Sequence, residues 1–273
     1  HSEVTHEVTI FFFFLAHFNG FAITNALLTG WVSVVIIITL SYFIRKNIKE
    51  IPGKFQGFME LVVDGALDLC DQVTGNRSIS KKIFPFAISV FFFILINNWL
   101  GLVPLGGFGQ IVEHNGSAAF VPFLRGATAD INTTIALAIM SVIGANLFGV
   151  LSIGGWKTFN KYVNINALGS IFTKFKKDKS VIIVAPITFF VGILELIGEF
   201  AKVASLSFRL FGNVFAGEVL LASMAAIIAY VLPIPFLGLE IFVGLIQAFI
   251  FAMLLLVYFT IAAQDHDEHE EKH

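Results

Sequence analysis

Four stretches of this chain, 21–44, 84–103, 130–154 and 234–263, each hold twenty or more residues and are almost wholly apolar. A helix rises 1.5 Å per residue and a bilayer core is about 30 Å thick, so roughly 20 such residues make a crossing. Hydrocarbon offers the backbone no hydrogen-bond partner, which leaves a helix as the form for each run. A fifth stretch, 181–231, is as apolar but about 50 residues long, or about 75 Å as one helix, too long for an upright span. With 57% hydrophobic residues, 13% charged residues and 32 phenylalanines in 273, the apolar groups exceed what one soluble core could bury. The expected fold is an all-α polytopic membrane protein in one membrane domain. It has five transmembrane helices plus one amphipathic surface helix, and the last two membrane helices form a long tilted hairpin. The single cysteine, Cys70, allows no internal disulfide. No basic surface argues for nucleic acid, and the chain opens on His1, as a processed or shortened chain would, with no complete signal peptide to read.

Lysine and arginine set the expected orientation, because short cytoplasmic loops are enriched in them. Arg45, Lys46, Lys49, Lys54, Arg77, Lys81 and Lys82 lie between the first two spans; Lys157, Lys161, Lys174, Lys176, Lys177 and Lys179 lie between the third and the long stretch. The opposite side, made of residues 1–20, the loop from Pro104 to Ala129 and the turn from Leu232 to Phe236, contributes only Arg125. The N-terminus is therefore expected outside, and the polar tail 264–273, QDHDEHEEKH, in the cytoplasm. This assignment needs the long stretch to cross once. A break near Glu199 to Ser205 would make it cross twice, but EFAKVAS holds neither Gly nor Pro, which favours one tilted helix with Pro186 as the place for a kink. Residues 48–75 put Phe55, Phe58, Met59, Val62, Ala66 and Leu69 at helical spacing, with Glu60, Asp64, Asp68 and Asp71 on another side. That pattern is an amphipathic helix lying on the cytoplasmic face or packed on a soluble partner.

A charge at mid-bilayer costs about 2.5–3.5 kcal/mol on insertion scales, so it faces a cavity, a partner or a counter-charge. The long stretch carries Glu195, Glu199, Lys202, Arg209 and Glu218. At 100° per residue with Arg209 at zero, Glu195 falls at about +40°, Glu199 at about +80°, Lys202 at about +20°, Ser205 at about −40° and Asn213 at about +40°. These residues share an arc of about 120°, expected to meet water or another protein rather than lipid. Glu218 stands about 180° round from Arg209 and about 13.5 Å further along the axis. On the last stretch Glu240, Gln247 and Tyr258 lie within about 20° of one another. The pattern is acids toward the outside, a cation in the middle and acids toward the inside. Carboxylates in membrane interiors serve ion relays, whereas arginine cannot hand on a proton. Two half-paths separated by such a group pass ions only if something carries them past it.

At this point the residues resemble a family. SLSFRLFGNVFAGE, Ser205 to Glu218, closely resembles the signature of subunit a of the F-type ATP synthase, and LIQAFIFAMLLLVYFTIA resembles that family's last helix. IPGKFQGFMELVV, FFFILINNWLGLVP and ADINTTIALAI extend the resemblance in chain order from about residue 50 to the end. It implies an ion-translocating, non-catalytic stator subunit with two offset half-channels, coupling proton or sodium flow to rotation. Its partners would be the c-ring, whose ion-binding carboxylates face Arg209, the peripheral-stalk b subunits and membrane lipid, in a bacterial inner membrane. By resemblance Arg209 is the separator, and Glu218, Glu240 and Gln247 belong to the outer half-channel or its junction with the arginine. Ser205 and Asn213 match polar neighbours of the arginine, Glu195 an acid toward the cytoplasmic half-channel, and Asp130 and Asn132 the start of a helix associated with ion entry. The sequence departs from many relatives at Val203, where they have proline, and in carrying two acids, Glu218 and Glu240, where they pair a glutamate with a histidine.

Plainer readings stand beside these. Arg209 could pair internally with Glu195, and Glu199 with Lys202 at i, i+3 could be a neutralising pair. Glu240 and Gln247 could bond helices together, Asp130 could be a helix N-cap, and Asn97 and Asn98 could be inter-helix hydrogen bonders. GGFG at Gly106 to Gly109 reads as a turn, because no GK[ST] follows. His266, His269 and His273 fall in the polar tail, where disorder is the expectation and a metal site is not. No cofactor is expected. A secondary transporter would show related halves, and an intramembrane enzyme a nucleophile and base or a metal motif; no internal repeat, HExxH or GxSxG occurs.

Overall fold

The computed structural model describes residues 25–49, 53–102, 109–114, 117–122, 125–155, 158, 181–228 and 231–263. The expectations for residues 1–20, for 106–108 of the GGFG turn, for most of the basic stretch 156–180 and for the tail 264–273 lie outside them. The elements in order are α1 (Asn25–Lys46), α2 (Lys54–Thr74), α3 (Arg77–Leu102), β1 (Gly109–His114), β2 (Ser117–Pro122), a 3-10 turn (Ala127–Ala129), α4 (Ile131–Ile153), α5 (Val181–Ile227) and α6 (Pro233–Ala263). Five helices, all but α2, are long and apolar enough to cross a membrane. The end of the bundle where α3 finishes and α4 and α6 begin is called upper below, and the end that carries α2 lower.

α5 is one unbroken helix of 47 residues, continuous through Glu199 to Ser205 and through Pro186. The two-crossing alternative falls with that continuity. α3 begins at Arg77, seven residues ahead of the apolar run at 84, so Lys81 and Lys82 sit on its first turns rather than in a loop. The corner ahead of it explains the early start. Gly75 closes α2 in the left-handed region (φ 66°) with its N–H on the Asp71 carbonyl, and Arg77 then reaches back to Asp68 (3.0 Å) and to Asp71. Between β1 and β2 the segment expected to be plain loop pairs as an antiparallel hairpin, Gly109 opposite Pro122 through His114 opposite Ser117. The sequence signal for it is Asn115-Gly116 between two apolar runs, the dipeptide that a two-residue hairpin turn favours.

Two apolar clusters hold the bundle. Val90, Ile94, Leu137, Leu206, Leu210 and Phe251 join α3, α4, α5 and α6, with Ile94, Leu210 and Phe251 wholly buried. Toward the lower end Cys70, Ile83, Ala145, Leu255 and Phe259 tie α2 to α3, α4 and α6. There α4 and α6 pass so close that a Cβ on Gly149 would lie 2.6 Å from the Ala262 carbonyl oxygen.

Candidate functional site

In the upper half of the bundle α3, α5 and α6 enclose a cavity of about 20 Å3, lined by Asn98, Leu102, Asn213, Glu218, Glu240 and Gly244 among others. On that scale about 10–15 Å3 admits one water. Asn98 anchors its wall, donating from Nδ2 to the Gly244 carbonyl of α6 (3.1 Å) and accepting at Oδ1 from Thr128 Oγ1 (2.9 Å). The inter-helix role expected of Asn98 is thus what the geometry shows. Its neighbour Asn97 spends its amide on the Phe93 carbonyl of its own helix instead.

The two acids at this cavity are treated differently. Glu218 is held by Arg125, Nε to Oε1 at 3.2 Å and Nη2 to Oε2 at 2.6 Å, a two-pronged contact between side chains 93 residues apart. That pairing keeps Arg125 above even its ordinary pKa, against the cost of its burial. Glu240, only 9% exposed, bonds no side chain among the described residues. Its carboxyl lies against Gly217 of α5, where a Cβ would fall onto it. Asn213 and Gln247 each bury an amide nitrogen without a hydrogen-bond partner. Among the described residues no side-chain hydrogen bond of Glu240 or Gln247 joins two helices.

Arg209 faces the other way. Leu206, Ser207 and Leu210 turn into the bundle, with Ser207 Oγ 3.2 Å from Thr134 Oγ1 of α4, while Ser205, Phe208 and Arg209 are exposed. Among the described residues Arg209 makes no ion pair, so the internal pairing with Glu195 is not the arrangement found.

The single polar arc read from the sequence is divided. Glu199 and Lys202 turn inward and meet at 2.6 Å, the neutralising pair that the i, i+3 spacing suggests. Asn146 of α4 donates to Glu199 at 3.2 Å, and the Lys202 ammonium sits 5.2 Å from the Tyr258 ring centroid on α6. Angle about the axis does not make the split, since Lys202 stands only about 20° from Arg209; what differs is the level along α5, where Asn146 of α4 and Tyr258 of α6 meet the Glu199–Lys202 pair. Glu195 is half-buried on the same helix, one turn below Glu199. Asp130 caps α4 by accepting from the Asn132 backbone N–H at 2.9 Å and from the Asn132 side chain at 3.2 Å, as its N-cap reading expects.

Sequence reasoning brought Glu218 and Glu240 to this region, grouped Asn213 with Arg209 instead, and missed the parts played by Arg125, Thr128 and Gly217. The one signal for Arg125 was its being the only cation among the segments assigned to its side.

The family model described as ATP synthase A chain matches residues 27–260. The chain is 32% identical over 252 residues to the ATP synthase subunit a of Mycobacterium ulcerans (strain Agy99), covering 90% of this chain and 89% of the relative. It is 30% identical over 234 residues to the subunit a of Geotalea daltonii (strain DSM 22248 / JCM 15807 / FRC-32), covering 86% and 85%. A protein of Propionigenium modestum named ATP synthase subunit a, sodium ion specific, is 32% identical over 240 residues, covering 88% and 74%. The matched region takes in Arg209, Glu218 and Glu240 and reaches into all five spanning helices, and the chain belongs to the ATP synthase A chain family, as a membrane-embedded subunit of that complex.

Proposed function

We propose that this subunit carries ions along two offset half-paths to a moving carboxylate on the c-ring, with Arg209 keeping the half-paths apart. The observation that carries the reading is the exposed Arg209 on a membrane helix, without an ion pair among the described residues. A fixed cation there is stabilised by a counter-charge that visits from another chain, and arginine never releases its own proton at accessible pH. The upper cavity, lined by Glu218, Glu240 and Asn213 and with Gln247 one turn past Gly244 on α6, supports a path from the outer side; Glu195, near the Glu199–Lys202 pair, supports one from the cytoplasmic side. Asp130 and Asn132, at the upper end of α4, mark the entry of the outer path. Ser205 lines the arginine's exposed face. The subunit itself does no nucleotide chemistry, which belongs to other chains, and the b subunits of the peripheral stalk hold it still against rotation. The N-terminus lies outside and the C-terminus in the cytoplasm of a bacterial inner membrane. Whether the ion is H+ or Na+ is set by the partner's carboxylate site, and pumping measured with and without Na+ reads it. The test of the separator is Arg209→Ala in membranes holding the assembled complex. ATP-driven pumping is expected to be lost; pumping at normal coupling overturns the proposal.

A further inference from the structure

We propose that Arg125 is a positioning residue of the outer path, which clamps Glu218 so that ions entering from that side are exchanged on Glu240. The inference rests on the reading of the upper cavity as part of the ion path. Arg125 is carried by an anchored segment. Gly126 beside it lies so close to Gly101 of α3 that a Cβ on Gly101 would stand 3.2 Å from Gly126 Cα, and the Ala127–Ala129 turn that follows is buried and bonded to Asn98 through Thr128. The guanidinium is therefore delivered by the fold and not by a free loop. Its fork occupies both oxygens of Glu218, with side-chain exposures of 22% and 33%. Glu240, the other acid on the cavity, bonds no described side chain and rests on Gly217. Among the described residues the charged groups around the cavity are thus Glu218 and Glu240 on its wall, Arg125 against Glu218, and Asp130 acting on Arg125 from the start of α4. One cation for two lining acids leaves a fixed pair and one acid at liberty to take up and release an ion.

The test measures ATP-driven pumping per assembled complex across a range of pH, for Arg125→Gln, Arg125→Lys, Glu218→Gln, the Arg125→Gln/Glu218→Gln double variant and Glu240→Gln. Glu240→Gln is expected to abolish pumping. Arg125→Gln is expected to slow it about tenfold, between the limits for exposed and for buried pairs, and to move its pH profile, because Glu218 is then a second exchanging acid. The double variant is expected to be no slower than Arg125→Gln and to regain the original profile. Arg125→Lys keeps the charge without the fork, and is expected to move the profile in the same direction by less; it decides the matter if Arg125→Gln does not assemble. An unchanged rate and profile in the arginine variants, or losses that multiply in the double variant, overturns the inference while an inactive Arg209→Ala and Glu240→Gln leave the ion-path reading standing. Normal pumping by those two variants overturns the path reading itself.

Discussion

Gly217 of α5 stands against the Glu240 carboxyl beside the cavity and controls the position of that acid. A methyl group there would coincide with the Glu240 carboxyl, which is the far end of a flexible side chain and can swing aside. Gly217→Ala is therefore expected to leave folding nearly intact while displacing Glu240. Misplacement by about 1 Å in a reacting group costs on the order of 100-fold in enzymes, and a loss of pumping of at least about tenfold is expected here. Pumping by purified, assembled complex checks it, with thermal unfolding of the same sample as the control. At this scale the sequence showed the charges and not their company. A cation or an acid inside an apolar run stands out by its cost, so Arg209, Glu218 and Glu240 were legible. The bond from Arg125 to Glu218 joins segments 93 residues apart, and no periodicity reports a contact of that separation. Gly217 was illegible for a related reason, because the meaning of a missing side chain depends on what stands opposite.

The elements were more legible than their ends. Apolar length found every spanning helix, since the bilayer imposes it. It misjudged the start of α3, where the polar turn Arg77 to Lys82 is helical because Arg77 is tied back to Asp68 and Asp71 rather than because of its own hydropathy. The β-hairpin has Asn115-Gly116 as its one local signal, a dipeptide too short to stand out between the flanking spans. Helix-to-helix fit was not readable at all, and the α4 to α6 approach at Gly149 shows why. The obstacle to a Cβ is a backbone carbonyl of α6, which cannot swing away. Gly149→Ala is expected to destabilise the protein by about 1–3 kcal/mol, the usual cost of overpacking, seen as a lower unfolding temperature in detergent. An unchanged temperature would mean that the two helices separate without cost.

For the molecule as a whole, α2 packs on the membrane bundle against α3 and α6, and the chain's only cysteine lies in that joint. Cys70 is buried among Ile83, Leu255 and Phe259, and burial, followed by the Asp71 charge, pushes its thiol above its ordinary pKa of 9.0. A raised pKa leaves little thiolate at neutral pH, so alkylation of the folded protein is expected to be slow and to accelerate only as the pH becomes alkaline. Labelling that is fast at neutral pH would mean that α2 detaches readily from α3 and α6. Denaturant should release fast labelling in step with loss of the joint.

The unbroken 47 residues of α5 also fix what distance along this part of the sequence means. A helix of about 70 Å whose two ends stay at the faces of a 30 Å core advances only about 0.6 Å in depth per residue, against 1.5 Å for an upright one. Arg209 and Glu218, about 13.5 Å apart along the axis, then differ by about 6 Å in depth and by about 12 Å in the plane of the membrane. On such a helix the order of residues is chiefly a horizontal coordinate, so inserting or deleting one turn between these two would move the cavity sideways past the arginine more than it would raise or lower it.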